Sequence, residues 1–107
     1  MRLAQRDLLD FCRNPVYTAP PWPDGYWPGQ VAPPTERGWE ESVAAFVADR
    51  EALQTFVTDS GTELGAKIPH GTGQTYLRSI LLVADHTSYH VGQLVAVRRL
   101  LGAWPPQ

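Results

Sequence analysis

Seven of the ten prolines fall between residues 14 and 35, in the stretch NPVYTAPPWPDGYWPGQVAPPT. A proline inside a helix removes a backbone donor and drives its ring into the preceding turn, so regular helix is excluded over these positions. Any helical core has to be assembled from the segments on either side. The stretch also carries Tyr17, Trp22, Tyr26 and Trp27. Four aromatics are costly to leave in water, so an ordered loop packed over one end or side of the helices is expected rather than a free linker.

The flanking segments read as helix throughout, with no strand-like alternation and no internal repeat, which makes the class all-α and residues 1–107 a single domain. Residues 1–13 place Leu3, Ala4, Leu8, Phe11 and Cys12 on one side and Arg2, Arg6, Asp10 and Arg13 on the other, and Asn14-Pro15 ends the pattern. The pattern is already in full phase at Met1, with no capping residue ahead of it. A second helix is expected over 36–59 with Thr35 as its N-cap. On a helical wheel Val43, Phe46, Leu53 and Val57 fall within about 40° of Trp39, a stripe expected to form core. Arg50 shares the stripe, either as a long stem reaching solvent at the rim or as a cation aimed into a pocket. Ser60-Gly61 stops the helix. A loop over 60–73 contains IPHGTGQT, in which Pro69, Gly71 and Gly73 set His70 on a bend, and a third helix follows over 74–101.

Composition narrows the functions. A formal charge of -2, with the basic residues scattered apart from Arg98-Arg99, offers no footprint for nucleic acid. Cys12 is the only cysteine and forms no disulfide within the chain. The start MRLAQRDLLDF is too charged for a secretory signal, and no apolar run approaches the roughly 20 residues that cross a bilayer, so a cytoplasmic protein without membrane attachment is expected.

The chemistry-bearing feature is DHTSYHVGQL, residues 85–94. On the wheel of the third helix Tyr76, His86, His90, Leu94, Val97 and Leu101 lie within about 60° of Val83, while Arg78, Asp85, Tyr89 and Gln93 take the far side. His86 and His90 therefore face inward one turn apart, the spacing with which a helix presents two imidazoles to one transition-metal ion. A buried histidine satisfied by hydrogen bonds is the competing reading, but two imidazoles on one apolar stripe each need a partner, and a shared metal serves both.

LLVADHTSYHVGQLVAVRRLLGAW (81–104), IPHGTGQTYLR (68–78) and PPWPDGYWP (20–28) together resemble the DinB/YfiT-like superfamily of metalloenzymes, and its DinB-like subgroup in particular. The resemblance covers nearly the whole chain, and its most specific parts are the H-x-x-x-H-x-G-Q motif and the IPHGxGQT loop. It implies a four-helix bundle in which three histidines bind a divalent metal, commonly nickel or zinc. Two of the three correspond to His86 and His90. The third would stand directly before the segment similar to RLAQRDLLDF, a position that falls just ahead of Met1. The expected bundle is accordingly incomplete, with three helical segments, and an open groove of that size favours completion by self-association, so a homodimer is expected. A replacement third ligand would come from His70, from Asp7 or from a second copy. Asp7 lies near the inward face of the first helix and resembles a residue that the family places near its site, whereas His70 reads better as a loop-fixing or pocket-rim residue. Asp7 and His70 are also the only catalytic candidates. The implied activity is metal-dependent transfer of a low-molecular-weight thiol to an electrophilic substrate, or hydrolysis, with the metal lowering the pKa of the bound nucleophile. The alternative is a non-catalytic bundle that binds metal or serves assembly without a complete site.

Overall fold

The computed structural model describes residues 1–106 and contains three α-helices: α1 (Arg2–Arg13), α2 (Glu36–Thr58) and α3 (Tyr76–Leu100). A single 3-10 turn, Asp24–Tyr26, interrupts the proline-rich stretch. Among the described residues there is no strand, and an isolated bridge pairs Lys67 with Thr75. The all-α reading and the three helical segments hold, with ends within two residues of those expected. Thr35 caps α2 as its sequence indicates, accepting from the Gly38 amide at 3.1 Å, and Thr75 caps α3 in the same way through the Arg78 amide at 3.2 Å. Losing such a cap orphans a backbone donor. Thr35→Ala is expected to cost about 1 kcal/mol, measured as a lower midpoint in urea unfolding.

α1 is the element that the other two share, packing against both α2 and α3. Gln5 Nε2 donates to the Phe46 carbonyl at 2.8 Å and Arg6 Nη1 to Asp49 Oδ1 at 3.0 Å, so α1 and α2 run in the same direction. α3 runs the other way. Its N-terminal end meets the end of α1, where His70 Nε2 lies 2.7 Å from the Phe11 carbonyl and buried Cys12 faces buried Ser79. Two parallel neighbouring helices need a connection that returns along their length. That is what residues 14–35 supply, and it explains why so many prolines are tolerated there: the segment climbs back beside α1 in extended form instead of turning into a helix.

The core is small, consisting of Leu9, Cys12, Leu53 and Ile68. Three expectations for it need correction. On α2 the lower part of the Trp39 stripe is core, with Leu53 buried, but Trp39 and Val43 are 62% and 43% exposed. On α3 the inward stripe is covered only as far as His90, and Leu94, Val97 and Leu101 stand 50%, 51% and 75% exposed. The reason is length. α1 has 12 residues against 25 in α3, about 18 Å against 38 Å, so the second half of α3 runs past the beginning of α1 with nothing beside it. In the proline-rich loop, Tyr17 and Tyr26 pack as expected, but Trp22 and Trp27 point into solvent. The molecule measures 46 × 28 × 21 Å with a radius of gyration of 15.8 Å, where a compact domain of this size has about 13 Å. Arg50 is exposed, which agrees with a stem reaching solvent. No helix is long and apolar enough to cross a membrane among the described residues.

Candidate metal centre

His86 and His90 lie in the middle of α3, at the level where α1 begins. Both are half-buried. Their Nε2 atoms are 3.1 Å apart, with ring centroids at 4.4 Å and planes inclined by 67°. Two features of the helix produce this: a separation of four residues stacks the side chains one turn apart, and both rings turn the same nitrogen toward the other. Tyr89, which points outward and is 64% exposed, sets its ring edge-on to His90 at 5.4 Å.

Two readings fit a 3.1 Å nitrogen pair. One ring can donate its Nε2–H to the other, a hydrogen bond between neutral imidazoles. The same spacing also suits two nitrogens on one ion. Donors about 2.0–2.1 Å from a metal lie about 3.3 Å apart at a tetrahedral angle and about 2.9 Å at a right angle, and the observed 3.1 Å falls between these. Imidazole is a donor suited to zinc and nickel alike. The His86 pKa is lowered, first by burial and then by the positive charges of His90 and the Met1 amino group, with Asp85 opposing. A lowered pKa keeps the ring in the neutral form that ligates metal.

Asp7 and His70 are held elsewhere. Asp7 accepts the Tyr17 hydroxyl on Oδ1 at 2.6 Å and the Tyr26 hydroxyl on Oδ2 at 2.8 Å, so its carboxylate ties the returning loop to α1. A shallow cleft beside it is lined by Leu3, Arg6, Asp10, Asn14 and Tyr17. His70 bonds the Phe11 carbonyl and stands edge-on to the Phe11 ring at 5.5 Å, the loop-fixing role. The glycines of IPHGTGQT are needed for that loop: Gly73 has φ of +119°, and a Cβ on Gly71 would come within 2.8 Å of Gln74 Oε1. Among the described residues no three of His, Cys, Asp and Glu are grouped to hold one ion. The histidine pair by itself offers no more than two donors.

Sequence reasoning missed the two polar ties between α1 and α2, from Gln5 and Arg6. Buried Asp49 carried a signal, since a carboxylate within an α2 face that turns to a neighbour demands a cation or a donor. It missed the tyrosine pair on Asp7 because the partners are 10 and 19 residues away, across a loop without period.

The tyrosine pair has a pH consequence. Burial, followed by the hydrogen bond to Asp7, pushes the Tyr26 phenol up to about 12 and the Tyr17 phenol higher still. Unfolded tyrosine ionises near pH 10. Between pH 10 and 12 the unfolded chain therefore gives up these protons while the folded chain retains them, so stability that is intact below pH 10 falls as pH rises through that window. Alkaline titration followed by tyrosinate absorbance should show two tyrosines ionising late in wild-type protein. Asp7→Ala should return both toward pH 10.

No protein-family model, curated protein or solved structure matches the chain.

Proposed function

We propose that this chain is a DinB/YfiT-like helical domain in which His86 and His90 provide two ligands of a divalent-metal site, nickel or zinc, that serves a thiol transferase or hydrolase. The observation that carries the reading is the 3.1 Å separation of the two Nε2 atoms on one face of α3. A four-helix bundle completed at the open stripe of Leu94, Val97 and Leu101 belongs to the same reading, as does a homodimer in the cytoplasm.

A bound metal would lower the pKa of a thiol or water and hold it ready for attack on an electrophile. The chain's own residues do the rest. The two imidazoles would hold the ion on the face of α3, and Tyr89 braces the His90 ring from the outer side. The half-burial of the pair restricts water around it.

A second reading is a metal-binding or assembly bundle without catalysis. Asp7 and His70 favour it, because both candidate general bases are committed to structural hydrogen bonds. The two readings separate in one assay series: elemental analysis of the purified protein, then thiol consumption with a chromogenic alkylating electrophile before and after nickel or zinc is added. Metal with turnover supports the enzyme, metal without turnover supports a metal-binding bundle, and no metal uptake removes the enzyme and leaves the assembly bundle alone.

A further inference from the structure

The face of α3 that points away from α1 has its own pattern. Leu81, Asp85, Ser88, Gly92, Val95 and Arg99 recur at alternating steps of four and three, the spacing of a helix that packs along another helix. All but half-buried Val95 are exposed, and Leu81 is 60% exposed. A Cβ built on Gly92 would meet nothing within 4 Å, so this glycine is required by no contact inside the chain. Gly92 sits at the middle of the stripe. Asp85 and Arg99 lie equally far from it on either side, and neither makes an ion pair among the described residues.

We infer that this face is the docking site for a second copy of the chain, with the two α3 helices antiparallel and crossing at Gly92. Charge decides both the occupant and the direction. An antiparallel two-fold pair sets Asp85 of each protomer against Arg99 of the other, twice, whereas a parallel pair would set Asp85 on Asp85 and Arg99 on Arg99. The pattern is thus complementary to itself in one orientation only. The missing side chain at Gly92, with Ser88 and Ala96 one turn to either side, lets the two axes approach closely at the crossing. Surface area agrees. The chain exposes 7968 Å², against about 5,900 Å² for a compact monomer of its mass. That surplus exceeds the roughly 800 Å² that each partner buries in a standard interface.

This inference keeps the homodimer of the proposed function but seats it on the face of α3 opposite the open stripe of Leu94, Val97 and Leu101, and it does not depend on the metal. His90 lies on the other side of α3, so the two can fail separately. Sedimentation velocity on the full chain over a concentration series, with and without zinc, is the test. Wild type is expected to dimerise in both conditions. Gly92→Leu should be monomeric while retaining its helical circular dichroism, because the position is exposed and a Cβ there meets nothing within 4 Å. Asp85→Arg and Arg99→Asp should each weaken the dimer by about tenfold, and the double variant should restore it, since each lost pair occurs twice per dimer. Three results would overturn the inference: a wild-type monomer at every concentration, as expected if this face receives a different protein; a dimer that tolerates Gly92→Leu, which would put the contact on another surface; or single charge reversals that the double variant does not rescue.

Discussion

Zinc or nickel at about 100 times its dissociation constant should stabilise the folded protein by about 2.7 kcal/mol. In a domain of this size that corresponds to a rise of about 10 °C in melting temperature. The effect should vanish in the His86→Ala, His90→Ala double variant and return to baseline in wild type after chelation. It depends on the two Nε2 atoms already lying 3.1 Å apart, so that little ordering of the site is needed when the ion arrives. The apo proteins should differ much less. Both rings are only half-buried, and their removal opens no cavity in the Leu9, Cys12, Leu53 and Ile68 core. Differential scanning fluorimetry across a metal titration, for wild type and the double variant, is sufficient. Equal shifts in the two proteins would mean that the ion binds elsewhere, and no shift in wild type would mean that the pair is a hydrogen-bonded couple and nothing more.

Leu9→Ala should be the most damaging single truncation in the chain. Leu9 is 0% exposed on the helix that α2 and α3 share, so the lost side chain leaves a cavity between all three. Such changes cost about 2–5 kcal/mol, a large part of the roughly 5–15 kcal/mol that holds a domain together. A melting temperature lower by 10 °C or more is expected. Leu100→Ala is the control: the same chemistry at 88% exposure should change stability by less than about 0.5 kcal/mol. Comparable losses at the two positions would show that α1 is not the centre of the fold.

Much of the local structure was legible from residue chemistry. The proline run, the threonine cap at 35 and the stop at Ser60-Gly61 delimit helices because each acts on its own backbone within a few residues, whereas the cap at Thr75 emerged only in the structure. The pairing of His86 with His90 was legible for the same reason, since helical geometry alone brings positions four apart together. The wheel was less reliable for burial. It assigns Trp39, Leu94 and Val97 to inward stripes, but a stripe becomes core only where another element reaches it, and α1, with 12 residues, is too short to reach these.

Asp7 shows the same limit in the candidate site. Its expected inward phase does not match the structure: the buried face of α1 is formed by Gln5, Leu9 and Cys12, and Asp7 turns nearly opposite to it, where its neighbours are two tyrosines from the returning loop rather than a metal or an imidazole. His70 went the other way: its bend between Pro69 and Gly71 favoured a loop-fixing or pocket-rim place over a ligand, and its bond to the Phe11 carbonyl is of the loop-fixing kind. The sequence by itself therefore determined the three helices, their ends and the histidine couple, all products of interactions within one or two turns. Only the tertiary structure decided that α1 and α2 run parallel with α3 reversed, that Asp49 receives Arg6, and that half of α3 stands uncovered. Those outcomes depend on contacts such as Gln5 with Phe46, 41 residues apart, and on the relative lengths of the helices, which no periodicity encodes.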